Sequence, residues 1–234
     1  LFYTGDFRGH GRKAALFERL LRQPPEGVDV LLMEGTTIGR DAAKHSRTEQ
    51  ALEACFLEQF EAASGLCLVW TSSQNIDRLV TIFKACKKAK KQLIVDFYTA
   101  EILRATGNPN VPQAFWDQVR VYLPQAQRRK VIEKRLFKEI NRYQPQRIFP
   151  RQRAEASRDS VMLFRPSMAV ELERAGCLDG AHLIYSLWRG YLKQERHRSF
   201  HDWIKKHQIP ITIIHTSGHA SVVDLQRLAK AIQP

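Results

Sequence analysis

The residues best suited to chemistry form the stretch His215-Thr216-Ser217-Gly218-His219, which follows the apolar run Ile211 to Ile214. Two imidazoles and a hydroxyl at the end of a predicted strand are suited to phosphate chemistry. Ser221 and Asp224 then predict a capping box that opens a helix. Because the N-terminus of a helix carries partial positive charge and free N–H groups, this loop would hold an anion through its backbone as well as its side chains.

Polar and ionisable residues follow the other predicted strands as well, and in open α/β sheets ligands bind beyond the carboxyl ends of the strands. These residues are Gly5-Asp6, Glu34 to Thr37, Ser72 to Asn75, Asp96, Arg165, Ser186 and the loop from His215 to His219. Ordinary turns seldom gather two histidines, three carboxylates and several hydroxyls on one rim. The pattern therefore indicates a functional site at this edge.

Short apolar runs alternate with amphipathic stretches, which predicts an α/β fold of strands joined by helical crossovers. The expected strands are Leu1 to Thr4, Val28 to Met33, Cys67 to Thr71, Leu93 to Phe97, Val161 to Phe164, Leu183 to Leu187 and Ile211 to Ile214. The expected helices are Thr48 to Ser64, one from Ile76 through Phe83, one from Gln125 to Tyr143 with Ile132, Leu136 and Ile140 inward, and one after Ser221.

The charge of the chain favours a polyanionic partner, because 37 basic residues against 24 acidic ones give a net charge of +13. Between Arg120 and Arg158 there are 12 basic and three acidic residues, although a solvated helix face also explains this stretch. No apolar run is long enough to span a bilayer and no signal peptide is evident, so we expect a cytoplasmic protein without a membrane partner. The four cysteines form no Cys-x-x-Cys pair, which argues against a thiolate zinc site.

Three sequence blocks occur together in a characteristic order: Thr4-Gly5-Asp6-Phe7-Arg8, Leu31-Leu32-Met33-Glu34-Gly35-Thr36-Thr37 and His215-Thr216-Ser217-Gly218-His219-Ala220. They resemble the β-CASP branch of the metallo-β-lactamase fold, especially ribonuclease J-like nucleases, and the resemblance covers essentially the whole chain. It implies a partial metallo-β-lactamase core from residues 1–47 and 208–234, interrupted by a β-CASP insertion at 48–207 with a mainly parallel sheet. Since position 1 is a leucine inside a predicted strand, we expect an internal fragment of a longer polypeptide.

The resemblance also implies roles for individual residues. Asp6 is similar to the aspartate that bridges two Zn²⁺ ions, although a turn aspartate after glycine is the simpler explanation of this segment alone. Glu34 and His219 are similar to the acidic and histidine motifs of the family, in which the carboxylate orients an imidazole that protonates the leaving oxygen. The neighbouring Arg8, His10 and Arg12 are expected to be exposed loop residues.

Phosphate contacts are expected from two places in the chain. Ser217, Gly218 and His215 resemble parts of the phosphate-holding loop of the family. Ser72 and Ser73, at the mouth of the next helix, and Arg165, at a strand end, are expected to face the same substrate. Helix capping explains the two serines equally well, and a structural ion pair explains the arginine, so these alternatives stay open.

The function implied is that of a zinc-dependent phosphodiesterase that cleaves nucleic acid, with RNA expected before DNA, by attack of metal-bound hydroxide with His219 as general acid. The His-x-His-x-Asp-His motif of the family is absent, as are two further histidine ligands, so most ligands for two Zn²⁺ ions would lie outside this sequence and the fragment alone is expected to be inactive. Two alternatives remain: a noncatalytic nucleic-acid-binding relative, and a metallohydrolase of a small phosphorylated or ester substrate. A homo-oligomer is also left open.

Overall fold

The chain divides into two compact units in the computed structural model, which describes residues 1–39, 47–149 and 158–234. The smaller unit combines Leu1–Leu52 with Thr216–Pro234, and the larger unit is Glu53–His215. The division differs from the predicted boundaries at 47 and 208. Residues 208–215 belong to the larger unit because the strand they contain pairs within its sheet.

The described strands are β1 (Phe2–Tyr3), β2 (Leu31–Leu32), β3 (Cys67–Trp70), β4 (Gln92–Asp96), β5 (Val119–Tyr122), β6 (Arg147–Ile148), β7 (Ser160–Leu163), β8 (His182–Tyr185) and β9 (Ile211–Ile213). The described helices are α1 (Ala14–Arg22), α2 (Glu49–Ala62), α3 (Ile76–Lys88), α4 (Phe97–Ala105), α5 (Gln125–Glu133), α6 (Phe137–Asn141), α7 (Ala169–Arg174), α8 (Arg189–Leu192), α9 (Arg198–Lys206) and α10 (Val222–Ile232). Short 3₁₀ turns occupy Gln144–Gln146, Pro166–Met168 and Glu195–His197.

The larger unit is built on a seven-stranded parallel sheet with the order β6-β5-β4-β7-β3-β8-β9. Its central strands are apolar on both faces and fully buried, as expected for a parallel sheet covered by helices on each side. On one face Leu68, Met162 and Leu183 pack in a core that includes Leu172 of α7 and Phe200 of α9. The fold is therefore α/β with a parallel central sheet, as the sequence predicted.

The position of β7 sets the topology of this sheet. After β4 the chain continues outward to β5 and β6, then returns to place β7 between β4 and β3 before continuing to β8 and β9 on the other side. The connections that leave β4 and β7 thus run in opposite directions. Adjacent strands with this property form the crevice in which α/β sheets bind ligands.

The smaller unit has a two-stranded parallel sheet, in which Phe2 is opposite Leu31 and Tyr3 is opposite Leu32. Its core joins Phe17 of α1 to Leu228 and Ile232 of α10. The N-cap half of the predicted capping box is confirmed, because the Ser221 hydroxyl accepts a hydrogen bond from the backbone N–H of Asp224 at 3.1 Å. The C-terminal helix therefore starts where the sequence predicts.

The middle of the chain differs from the prediction in two respects. The expected helix from Gln125 to Tyr143 is divided into α5 and α6, because Arg135 has a φ of 52° and ends the helical path. Ile140 is buried as expected, but Ile132 is 64% exposed, so its predicted inward position is wrong. The strands β5 and β6 were not predicted at all. Within the described ranges, no helix is both long enough and apolar enough to cross a membrane.

Candidate functional site

Asp6, Glu34 and His219 form a cluster in the smaller unit, with one ligand-type atom from each lying within 4.8 Å of the others. Asp6 and Glu34 follow β1 and β2, and because these strands are parallel their carboxyl ends meet at one edge. His219 lies just before the Ser221 cap of α10. The convergence of these three side chains, which the sequence predicted, is observed, whereas their chemical roles stay predictions.

Glu34 is the central acceptor of the cluster, and its side chain is only 5% exposed. Its Oε1 accepts the backbone N–H groups of Phe7 at 2.9 Å and Ala220 at 3.1 Å, while its Oε2 lies 2.8 Å from Nδ1 of His219. Burial by itself would raise the pKa of Glu34, but these hydrogen bonds outweigh it and hold the pKa below its ordinary value. The carboxylate is therefore ionised at neutral pH.

The bond to Glu34 determines how His219 can exchange a proton. Because an ionised carboxylate is only an acceptor, Nδ1 of the ring must carry the proton that joins the two groups. The other ring nitrogen, Nε2, is then the one left to donate or accept a proton from a ligand, and the side chain is 32% exposed. This is the arrangement of a carboxylate-oriented general acid or base.

The loop before His219 is held by residues that the sequence placed on an exposed surface. His10 Nε2 lies 2.9 Å from the carbonyl oxygen of Ser217, and Arg8 donates to the same oxygen at 3.3 Å. Arg8 also pairs at 3.1 Å with Glu49, whose side chain is fully buried. The expectation that Arg8 and His10 are exposed is therefore wrong, since both are partly buried and position the site loop.

The state of His10 follows from its surroundings. Burial lowers the pKa of this imidazole, and the nearby guanidinium of Arg8 acts in the same direction, although the hydrogen bond to Ser217 and the carboxylates of Asp224 and Glu49 oppose them. A neutral ring that donates from Nε2 to the Ser217 carbonyl satisfies this contact. No local sequence pattern signals it, because the two residues are 207 positions apart.

Further hydrogen bonds fix the same loop within the smaller unit. The Ser217 hydroxyl accepts the backbone N–H of His219 at 3.0 Å, so it closes a local turn. Thr216 donates to the Arg47 carbonyl at 2.7 Å, and the buried Thr37 donates to the Ala220 carbonyl at 2.7 Å. Gly218 has no left-handed backbone and has open space beside it, so neither feature requires a glycine there.

The remaining predicted phosphate contacts belong to the larger unit. Arg165 lies two residues after β7. It donates from Nε to Asp96 at the end of β4, at 2.6 Å, and from a terminal nitrogen to the Ser73 hydroxyl. Ser73 is buried and also bonds to Thr99 at 2.5 Å. This network lies at the crevice between β4 and β7, but its members satisfy one another, which favours the structural ion pair for Arg165.

Ser72 and His215 have different surroundings. The Ser72 hydroxyl accepts the backbone N–H of Gln74 at 3.2 Å, and Asn75 rather than either serine caps α3. His215 is half-buried, lies two residues after β9 and belongs to the larger unit. The predicted site residues are thus divided: Asp6, Glu34, Ser217, Gly218 and His219 lie in the smaller unit, and Ser72, Ser73, Arg165 and His215 lie in the larger one.

The donor set can be tested against the two-zinc centre that the family resemblance implies. Asp6 is 72% exposed, and among the described residues none donates a hydrogen bond to its carboxylate, which leaves it open to a cation. Glu34 has both oxygens engaged, and His219 uses Nδ1 for Glu34. The described residues of this cluster therefore supply one metal ligand, Asp6, and at most a second, Nε2 of His219. That is fewer than a two-zinc centre requires.

Comparison with known proteins establishes the fold but no family. No protein-family model matches the chain, and no curated protein matches it. Among solved structures, the crystal structure of a protein of unknown function from Enterococcus faecalis V583 matches with a TM-score of 0.69 and 18% identity, over 99% of this chain and 50% of that one. The chain thus spans about half the length of that protein, and the likeness shows a shared α/β fold.

Proposed function

We propose that this chain belongs to a zinc-dependent phosphodiesterase that cleaves nucleic acid, with RNA as the expected substrate. In this proposal the chain supplies the general acid, His219, and the carboxylate that orients it. One observation carries the proposal: His219 is held through Nδ1 by the ionised, buried Glu34, beside the exposed carboxylate of Asp6. Carboxylate-oriented imidazoles next to an open metal ligand are suited to phosphodiester hydrolysis.

In this proposal the residues of the chain have distinct tasks. Glu34 keeps the ring of His219 in one orientation, so that Nε2 can deliver a proton to the leaving oxygen. Arg8 and His10 hold the Ser217 carbonyl and with it the loop that carries His219. Asp6 would be one ligand of the metal centre, and Zn²⁺, when bound, supplies Lewis acidity toward water and phosphate oxygens.

The two units support an architectural part of the proposal. The smaller unit is assembled from both ends of the chain, and the larger one is a contiguous parallel α/β unit inserted between them. A partial metallo-β-lactamase core with a β-CASP insertion would have this organisation. The remaining zinc ligands would then come from another part of a longer polypeptide.

The charge distribution supports nucleic acid as the substrate. The surface of α5 and α6 carries exposed cations at Arg129, Lys130, Lys134, Arg135 and Lys138. Contacts of this kind with phosphates dominate the affinity of proteins for nucleic acids and make it depend on salt. A basic surface of this extent would have no evident purpose in a hydrolase of small substrates.

A noncatalytic nucleic-acid-binding protein is the second candidate, and the limited donor set favours it. Both carboxylate oxygens of Glu34 are engaged in hydrogen bonds, so Asp6 is the one carboxylate of the cluster that is open to a metal ion. The described residues therefore provide the α/β fold and the positive charge but not a full metal centre. Such a protein would bind homopolymer RNA with a steep salt dependence and would not degrade it.

The deciding experiment measures zinc content and RNA degradation for the full-length protein and its His219→Ala variant. We expect zinc at the wild-type level and turnover reduced by roughly 100- to 10,000-fold, which is the usual contribution of a general acid. His207→Ala, a histidine substitution in the larger unit at the end of α9, is the matched control and should leave turnover unchanged. Unchanged turnover in His219→Ala would remove the proposed acid, and zinc-free, inactive wild-type protein would favour the binding protein.

A further inference from the structure

An aromatic pair stands on the surface where the chain leaves β8. Trp188 is 54% exposed and Tyr191 is 45% exposed, and their rings meet edge to face with centroids 5.1 Å apart. The other tryptophans differ, since Trp70 and Trp203 are buried and Trp116 is half-buried. An exposed pair of aromatic rings offers a flat apolar surface to a ligand, so its surroundings are informative.

The indole of Trp188 is held in place rather than free to rotate. A Cβ added at Gly190 would fall inside the ring, so the indole lies directly against the backbone of this glycine. The backbone of Trp188 is fixed as well, because its carbonyl accepts the Tyr185 hydroxyl at 3.3 Å and the Tyr191 N–H at 3.0 Å. The exposed ring surface is thus preorganised, which lowers the entropy cost of binding a flat ligand.

The aromatic pair belongs to a strongly basic segment of the chain. Four exposed basic residues lie in the same short segment, namely Arg189, Lys193, Arg196 and Arg198, against one exposed acid, Glu195. Within the described part of the chain none of these four cations forms an ion pair. Burial lowers the pKa of His197, and the nearby charge of Arg196 acts in the same direction.

We propose that this surface, the Trp188 platform (Trp188, Gly190, Tyr191 and the four cations), binds single-stranded nucleic acid by stacking an unpaired base on the exposed indole. Aromatic rings that alternate with basic side chains are the usual means of holding single strands, because every base has a π face and every nucleotide has a phosphate. The choice of nucleic acid rests on the proposed function, whereas the platform itself is described from its contacts alone.

The chemistry of the platform distinguishes single strands from other ligands. A duplex keeps its bases stacked on one another and offers the indole no free face, so it would gain only the phosphate contacts. An anionic membrane would also attract the cations, and a sugar could lie on the indole without needing them. A single-stranded nucleic acid is the ligand that uses both the ring and the charge.

The first test measures binding of a short single-stranded homopolymer RNA to the chain and its Trp188→Ala variant, at several salt concentrations. Loss of one stacked base should weaken binding by roughly 5- to 150-fold, and the salt dependence should not change. Arg196→Ala should instead lower the slope of the salt dependence by about 0.7, the contribution of one phosphate contact on a single strand. RNA binding should also quench the fluorescence of the wild-type protein and not that of Trp188→Ala.

Gly190→Ala tests the geometry without removing the ring. The backbone of Gly190 is one that alanine adopts, but the added methyl group must displace the indole. We expect Gly190→Ala to weaken RNA binding almost as much as Trp188→Ala, with no change in thermal stability. Phe115→Ala, which removes another exposed aromatic ring of the larger unit, is the matched control and should bind like the wild type.

The outcomes separate this inference from the proposed function. Equal RNA affinity of Trp188→Ala and wild type overturns the platform, as does binding to anionic phosphatidylserine vesicles or to duplex RNA that exceeds binding to the single strand. If His219→Ala keeps full turnover while Trp188→Ala loses affinity, the nuclease proposal fails and the platform stands. If Trp188→Ala binds RNA normally while His219→Ala is inactive, the platform proposal fails and the nuclease proposal stands.

Discussion

Glu34 Oε2 lies 2.8 Å from Nδ1 of His219, while Oε1 of the same carboxylate accepts the N–H groups of Phe7 and Ala220. One buried side chain thus joins the end of β2 to the segment after β1 and to the start of the C-terminal helix. The same contacts that would orient a catalytic imidazole also hold the smaller unit together. Substitutions at this position must therefore change stability as well as any activity.

Glu34→Gln should lower the free energy of unfolding by about 1 to 3 kcal/mol, because the amide cannot accept all three hydrogen bonds and presents an N–H group to donors. Urea denaturation of the two proteins measures the difference. Glu26→Gln, at an exposed position of the same unit, is the control and should change stability by less than about 0.5 kcal/mol. Equal stability of Glu34→Gln and wild type would contradict the observed bonding.

The stabilising effect of Glu34 should depend on pH with a definite sign. Because the pKa of Glu34 is lower in the folded protein, its contribution is complete above the ordinary value of 4.5 and is lost as pH falls through the folded value. The difference in melting temperature between wild type and Glu34→Gln should therefore shrink as the pH falls below 4.5. A difference that keeps growing below pH 4.5 would be inconsistent with a lowered pKa of Glu34.

His10 should make the protein less stable in mild acid. Because burial lowers the pKa of its imidazole, the unfolded chain takes up a proton first as pH falls below about 6.5, and folding loses free energy until the folded value is reached. His10→Gln keeps a donor for the Ser217 carbonyl and removes this titration. We expect its melting temperature to fall less than that of wild type between pH 7 and pH 5.

Arg165→Ala should cost roughly 2 to 4 kcal/mol, because it leaves the carboxylate of Asp96, which is fully buried, without its cationic partner. Arg104→Ala removes an exposed ion pair with Glu101 and should cost less than about 1 kcal/mol. Chemical denaturation of both variants makes the comparison. If Arg165→Ala were as stable as Arg104→Ala, Arg165 would be free for a substrate role and the structural interpretation would be wrong.

Arg135→Gly should stabilise the protein by up to about 1 kcal/mol, because an exposed non-glycine residue with a φ of 52° carries a backbone strain that glycine avoids. The matched control is Arg129→Gly, in the exposed interior of α5, which should instead lower stability by about 1 kcal/mol. Thermal unfolding of both variants measures whether each change raises or lowers stability. Destabilisation by both would show that α5 continues through Arg135 in solution.

The sequence predicts the central sheet well and the middle of the chain poorly, for physical reasons. The apolar runs that become β3, β4, β7 and β8 are buried on both faces, so their composition alone identifies them. The strand β5 has an arginine at position 120 and lies among prolines, and it is held by pairing with β4 and β6 rather than by its own pattern. The break at Arg135 is a single backbone torsion that no periodicity predicts.

The candidate site shows the same contrast. Asp6 and Glu34 end two predicted strands, so the rule that ligands gather at strand ends is enough to group them. The contacts of Arg8 and His10 with Ser217 join residues more than 200 positions apart, and nothing in the local sequence encodes them. Likewise, the order of the strands, and with it the pairing of Arg165 with Asp96, depends on tertiary packing.

The central place of β7 determines when the two halves of this sheet can join during synthesis of the chain. Until residues 160–163 leave the ribosome, β3 and β4 each have an unpaired backbone edge, although both strands are made at least 60 residues earlier. Exposed edges of this kind invite pairing with other nascent chains, and late non-local pairing slows folding. Production of the chain should therefore depend on translation speed and on chaperones that shield strand edges.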